Sequence, residues 1–378
     1  MTVLVEAGPD GPAAFRDPRE VLAAWEPEEV IPTLARADAA RAEGAWVAGC
    51  LAYEAGYALE PRLLPLLPPG RPGPLILLGL YDAPEPDHAS PAGDARLVSP
   101  EPLVERAAYD AAVARLLAYV AAGDCYQVNL TFPLRSRLLR GSPRDLYRRL
   151  VAGGQAGQGA LVDLGQGPVV VSVSPETFVR VDGAGAITAR PMKGTAPRDP
   201  DPARDAGLAR ALGHDPKARA ENLMIVDLLR NDLGRLARVG TVRVPDLYRV
   251  ETFPTVHQMT STVTATLAQP PTLATLMPAL FPCGSVTGAP KIRAMEIIRE
   301  LEPHPRGAYC GAVGWMAPDG RAAFNVAIRT LSIEGQDVTL NVGGGVVADS
   351  TAQGEWEEAL WKARFLAPAL GPPPDPVP

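Results

Sequence analysis

The sequence predicts a mixed helix-and-strand protein, and three observations carry that reading. First, strand-like segments Val169–Ser174, Thr177–Val181 and Ala186–Ala189 follow one another, with Asp182-Gly183-Ala184-Gly185 supplying hairpin-loop chemistry. Second, helical periodicity appears elsewhere, most strongly over Glu221–Arg235, where Met224, Ile225, Leu228 and Leu229 form one apolar face. Third, the 378 residues are 47% hydrophobic, enough for a sizeable core in one large domain or two to three ordinary ones.

The elements follow in chain order. Pro18–Trp25 and Glu28–Glu43 read as helices, and Ala45–Tyr53 and Leu75–Tyr81 as strands around a Pro-rich connector, 61–74. Asp82–Pro102 is polar, punctuated by prolines, and reads as a linker or long loop closing an N-terminal portion, 1–102. Leu103–Gly123 reads as an alanine-rich helix with Ala108, Ala112, Leu116 and Tyr119 on one stripe. In the strand Tyr126–Leu134, Gln127 and Asn129 share a face, either a polar pocket wall or a half-exposed surface. Ser142–Ala152 is a further helix. Asp199–Asp215 reads as a polar, mobile segment. Val239–Val244, Tyr248–Val256 and Thr260–Thr266 read as strands, as do Tyr309–Met316, Ala322–Ser332 and Val338–Val342. A last helix spans Ala352–Leu366, with Trp356, Ala359, Leu360 and Ala363 on its buried side, and 369–378 reads as a loose tail.

Composition narrows the function. A formal charge of -7, with no Lys/Arg-rich run, argues against nucleic acid as the partner. Cys50, Cys125, Cys283 and Cys310 are far apart, which fits buried free thiols rather than a zinc knuckle or a disulfide framework. No apolar stretch reaches the roughly 18 to 20 uncharged residues of a membrane span, and the first residues show no secretory signal. The expectation is a soluble cytoplasmic protein.

Several residues stand out chemically. Lys193 lies in Arg190–Arg198, between Pro191-Met192 and Gly194. An amine held there and partly desolvated has a lowered pKa and can act as nucleophile or base; in bulk water it is an ordinary surface lysine. Glu176, in Ser174-Pro175-Glu176 between two strands, is a candidate acid with a raised pKa. Glu221 projects at the edge of its helix's buried side, as a dipole partner or a ligand. His257 sits at a strand edge, where a structural and a catalytic role are both open. Gly284–Lys291 is a Gly/Ser/Thr loop feeding a helix, with Pro290 at the first helical position and Thr287 or Gly288 as cap, an anion site in form. It lacks P-loop spacing. Arg329 is the lone cation of the segment 324–331 and needs a carboxylate partner from protein or ligand. Gly343-Gly344-Gly345 permits a close backbone approach. Glu355, Glu358 and Lys362 share a helix face, either a solvated acidic surface or a carboxylate pair around a hard cation such as Mg²⁺.

These stretches, together with Gly123–Leu130, Tyr309–Gly314, Ile328-Arg329-Thr330 and Gly343–Asp349, resemble the chorismate-utilising enzymes over 103–368. The resemblance implies an α+β fold: two stacked, mostly antiparallel sheets flanked by helices, with the active cleft between them. The segment 49–56 resembles the short bacterial form of the aminodeoxychorismate synthase component I branch. Lys193 points the same way, because the anthranilate synthase component I branch carries alanine there. Gln127 stands where water-adding relatives use a lysine, and an amide is no base for that work.

The resemblance implies conversion of chorismate and ammonia to 4-amino-4-deoxychorismate through a covalent Lys193 adduct. The main alternatives are an anthranilate synthase component I or a non-catalytic chorismate-binding homologue. Glu176 is then the general acid, with His257 and Thr287 facing the ring. Gln127, Tyr309, Arg329, Gly343, Gly344, Gly345 and Lys362 would bind substrate, and Glu221, Glu355 and Glu358 would hold Mg²⁺. No Gly-x-Cys-x-Gly glutaminase elbow is present, so ammonia from glutamine implies a separate glutamine amidotransferase subunit, as a heterodimer. A Leu-Leu-Glu-Ser tryptophan-site signature is not evident.

Overall fold

The computed structural model of the protein describes residues 1–88, 93–152, 157–253 and 256–371. Residues 372–378 of the expected tail lie outside the described residues. Two large antiparallel sheets dominate. The 11-stranded first sheet runs from Gly288–Ala289 through Gln127–Arg140, Asp337–Val346, Thr330–Glu334, Val169–Ser172 and Ala160–Asp163 to Thr2–Gly8, Gly11–Arg16 and Glu85–Pro86. The 10-stranded second sheet runs from Met192–Pro197 through Val256–Thr266, Ala186–Arg190, Thr177–Val181, Ala322–Val326 and Ala312–Met316 to Trp46–Leu51, Ile76–Tyr81 and Glu20–Ala24.

Strand alternation places the layers. Val3, Val5, Phe15, Val162 and Val170 of the first sheet pack with Ala48, Leu77, Val313 and Trp315 of the second in one buried cluster, which is the core between the sheets. Leu4, the intervening residue, belongs instead to the cluster containing the helix residues Leu146, Tyr147 and Leu150. Strands from residues 1–102 enter both sheets, so that portion shares the sandwich with the rest. The four cysteines are free and buried. Among the described residues no helix is long and apolar enough to cross a membrane.

Several expectations need correction. Pro18–Trp25 is not a helix; Glu20–Ala24 is an edge strand paired with Ile76–Tyr81. Five residues are too few for a self-supporting helix, and the partner strand decides. Asp199–Asp215 is not a loop: Pro202–His214 is a helix whose Asp201 side chain accepts from Ala203 N at 2.9 Å. An Asp-Pro start followed by alanines is a helix signal that the polarity of the segment obscured. Val239 is fully exposed, and a single bulged strand begins at Arg243 and runs to Thr252. Helix Arg106–Ala122 buries Tyr109, Val113 and Leu116, one residue round from the expected stripe, because the bulkier side chains gain more by burial. Leu360 is exposed, and the last helix ends at Lys362 before a 3-10 turn, Ala363–Ala369. Pro290 is the N-cap of Lys291–Leu301, not its first residue.

The most consequential correction concerns Ala322–Ser332. It is two strands in different sheets, Ala322–Val326 in the second and Thr330–Glu334 in the first. The chain crosses at 327–329, where Arg329 takes φ +50. No Gly or Pro marks the crossing, and the strands on either side of it are largely buried, so no local pattern announces the break.

Candidate active site

The crossing at Arg329 has a partner. Val169–Ser172 of the first sheet leads into Thr177–Val181 of the second, and the link is Ser174-Pro175-Glu176. The two crossings are tied together: Val173 N donates to Arg329 O at 3.1 Å, Val326 N to Glu176 O at 3.0 Å, and Ser174 Oγ to Val326 O at 2.6 Å. Glu176 is thereby held at the seam between the sheets. It is 4% exposed, and Ser285 Oγ donates to its Oε1 at 2.7 Å. Burial pushes its pKa up to about 7, opposed by the Ser285 hydroxyl, the Lys193 charge and the Met192 backbone N–H.

Lys193 sits on the edge strand of the second sheet. Its register against Val256–Thr266 slips between Met192 and Thr195, a bulge that re-aims the side chain. Gly194 takes φ +87 there, and a Cβ on it would lie 2.7 Å from that of Ala218. The glycine therefore lets this strand press directly on helix Pro216–Gly234, one turn from Glu221. Lys193 is half-buried. Burial lowers its pKa, Lys362 adds to the effect, and Glu221, Glu176 and Glu358 oppose it.

The facing wall belongs to the first sheet. Gly343, Gly344 and Gly345 pair with Thr131, Leu130 and Asn129, and helix Ala352–Lys362 lies over them. The position a Cβ on Gly344 would take is 2.9 Å from Glu355 Oε2, 3.5 Å from Glu358 Oε1 and 3.4 Å from Lys362 Nζ. Lys362 Nζ donates to the Gly343 carbonyl at 2.7 Å and pairs with Glu358 at 2.8 Å, while Ser350 Oγ donates to Glu355 at 2.6 Å. Burial raises the pKa of Glu355 and of Glu221, and in both the neighbouring Glu358 adds to the effect. Glu358 goes the other way: burial pushes up, but Lys362 and the other lysines prevail and hold it low. Stacking supports the helix, with Trp356 on Phe132 at 4.5 Å and 9°.

The structure thus brings Lys193, Glu176, Glu221, Glu358 and Lys362 into one electrostatically coupled group, with Glu355 beside Glu358. Among the described residues no three carboxylate, imidazole or thiol groups already converge as a metal cage. The donor set nevertheless suits a hard divalent cation: three carboxylates, two with burial-raised pKa values. Gln127 is fully buried against Gly345, and neither its amide oxygen nor its nitrogen has a hydrogen-bond partner among the described residues. A buried amide left open in this way can take a polar ligand. Tyr309 is buried; Arg329, half-buried at its crossing, has its pKa lowered by burial.

Two expected catalytic residues, His257 and Thr287, have protein hydrogen-bond partners. The ring nitrogens of His257 lie 2.8 Å from Asp205 Oδ1 and 3.0 Å from Thr252 Oγ1, with Arg198 on the same Asp205 carboxylate. The missed helix Pro202–His214 supplies that partner. Thr287 donates its hydroxyl to Cys283 O at 2.9 Å. Lys291, in the expected anion loop, is neutralised by Asp232 at 2.7 Å. Sequence reasoning did not single out Ser285, Ser350 or Lys217. Lys217 lies one helical turn before Glu221, a signal open to inspection, and pairs with Asp349 at 3.0 Å.

A family model described as chorismate binding enzyme matches residues 6–368. The chain belongs to the chorismate-binding enzymes. Among its relatives, aminodeoxychorismate synthase component 1 of Klebsiella aerogenes is 46% identical over 263 residues, 70% of this chain and 58% of that one. Anthranilate synthase component 1 of Streptomyces coelicolor is 46% identical over 258 residues, 68% of this chain and 50% of that one. The matched part of the chain thus spans only about half the length of these relatives. The solved anthranilate synthase component I of Streptococcus pneumoniae superposes with a TM-score of 0.78 over 96% of this chain and 91% of that one, at 23% identity, which shows the same fold. Chorismate-binding enzymes of both named activities are equally similar, so the family is settled by likeness and the product is not.

Proposed function

We propose that this chorismate-binding enzyme is an aminodeoxychorismate synthase component I, converting chorismate and ammonia to 4-amino-4-deoxychorismate and water. The observation that carries the reading is Lys193, bulged into a group of carboxylates with its pKa lowered. An uncharged amine there can bond to carbon 2 of chorismate while the carbon 4 hydroxyl departs. Glu176, protonated up to about pH 7, gives that hydroxyl its proton, and it leaves as water. Ammonia then bonds to carbon 4, both ring double bonds shift back, the carbon 2–nitrogen bond breaks to release the Lys193 amine, and the new carbon 4 ammonium returns a proton to Glu176.

Glu221, Glu355 and Glu358 are the residues that would hold Mg²⁺, whose charge, when bound, suits the ring carboxylate of a dianion. Tyr309, Arg329 and the 343–345 backbone take the enolpyruvyl carboxylate, and the open Gln127 amide faces the ring. Lys362 leaves Glu358 or stays as counter-charge beside it. Ammonia comes from a separate glutamine amidotransferase subunit, a point tested by requiring glutamine-dependent turnover only when such a subunit is added.

The test is mass spectrometry of the Lys193 peptide after exposure to chorismate and Mg²⁺ without ammonia. The expected result is a mass gain of chorismate less one water, absent in Lys193→Ala, with 4-amino-4-deoxychorismate formed once ammonium is added. Anthranilate fluorescence without any added lyase would instead make the chain an anthranilate synthase.

A further inference from the structure

Behind the cleft lies a buried ionic network that the reaction scheme does not use. Arg306 is 4% exposed. Its guanidinium donates to Glu302 at 2.9 and 2.7 Å, to Val286 O at 3.0 Å and to Asn129 O at 2.6 Å, and it lies 4.4 Å over the Tyr53 ring. Glu302 also accepts from Thr131 N at 2.8 Å. Glu54, 2% exposed, accepts from the backbone N–H of Arg306 at 2.6 Å and of Gly307 at 3.0 Å.

We infer that Arg306, clamped by Glu54 and Glu302, is a positioning residue that holds the Ser285 end of the loop 284–291 against the Gln127 strand, beyond the stretch where Gly288–Ala289 pairs with that strand directly. The geometry is specific. Val286 follows Ser285, the donor to Glu176; Asn129 and Thr131 follow Gln127 on one strand. One planar guanidinium bridges those two backbones, and its fork cannot be reproduced by a lysine's single ammonium. A core that needed only packing would not bury this many charges, since an apolar set of equal volume is commonly as stable. The inference deepens the reading of Glu176 as general acid and rests on it for the catalytic consequence.

The experiment compares wild type, Arg306→Lys and Glu54→Gln. The first variant keeps the charge; the second keeps the shape and serves if the first fails to fold. Glu176 is titrated by carboxyl ¹³C NMR, its signal assigned with Glu176→Gln, and kcat and KM for chorismate are measured on the same samples. Around Glu176 stand Ser285, Lys193, Cys283 and Cys310, and of these only Ser285 donates to it across the loop that Arg306 holds. Loosening that loop weakens the donation, so the Glu176 titration moves to higher pH, and kcat falls on the order of tenfold to a hundredfold with KM changed far less. Both variants losing thermal stability while the Glu176 titration and kcat stay at wild-type values would overturn the inference. A shifted titration in a protein whose wild type makes no aminodeoxychorismate supports the positioning role and sinks the reaction assigned above instead.

Discussion

Adding one methyl group at each of the three consecutive glycines should produce three different proteins. None of Gly343, Gly344 and Gly345 has a positive φ, so alanine is conformationally allowed at each, and only the neighbours differ. On Gly343 the new Cβ would lie 2.2 Å from Leu130 O and 2.7 Å from Thr131 Cα, both backbone atoms of the paired strand. That overlap cannot be relieved by a rotamer. The sheet must open, at about 3 kcal/mol, the upper part of the overpacking range. On Gly344 the contacts are Glu355 Oε2 at 2.9 Å, Lys362 Nζ at 3.4 Å and Glu358 Oε1 at 3.5 Å, all ends of flexible side chains. Those ends can swing aside, so stability should change by less than about 1 kcal/mol. The displaced groups, however, include two of the carboxylates proposed for the cation and the Lys362 amine beside them, and binding should weaken on the order of tenfold or more. On Gly345 the Cβ meets Gln127, 2.7 Å from its Cδ, and pushes the open amide off its place. Denaturant unfolding and steady-state kinetics at varied chorismate and Mg²⁺ separate the cases. A Gly344→Ala enzyme with unchanged chorismate KM and unchanged Mg²⁺ requirement, or one less stable than Gly343→Ala, would refute the reasoning.

Other consequences follow from the same geometry. Glu176 has a folded pKa of about 7 against 4.5 unperturbed, so its acid form survives to near neutrality; kcat should fall as pH rises through about 7, and Glu176→Gln should abolish that limb along with most turnover. By linkage the raised pKa means that folding stability declines as pH rises from 4.5 toward 7, and Glu176→Gln should flatten that decline in urea unfolding curves. His257→Asn should lower kcat by less than about tenfold while lowering the melting temperature, because the ring joins Asp205 to Thr252; a loss of about a thousandfold in a folded variant would restore it as an acid–base catalyst. Trp356→Ala removes the stack on Phe132 and the edge contact with Tyr109, at about 3 kcal/mol, and should weaken cation affinity measured by calorimetry because the Glu355–Glu358 helix loses its anchor.

Local chemistry was enough to mark most residues of the candidate site. Lys193 beside its glycine, Glu176 at a strand break, the carboxylates spaced on the last helix and the triple glycine are all short-range patterns, and short-range patterns are visible in one dimension. The strands and helices that carry them were legible for the same reason, since burial on one face writes a period into the chain. Tertiary structure decided the rest. Whether Ala322–Ser332 was one strand or two depended on which sheet each half joined, and a largely buried stretch without Gly or Pro at the crossing has no local pattern to reveal it. Glu20–Ala24 is a strand because Ile76–Tyr81 offers it an edge, not because of its own propensity. The partner of His257 lies 52 residues away, on a helix whose polar face looked like a loop. Arg306 is a hub only because the fold stacks three distant segments around one guanidinium. Pairings between residues far apart in the chain leave no local trace, and those pairings set which charges meet.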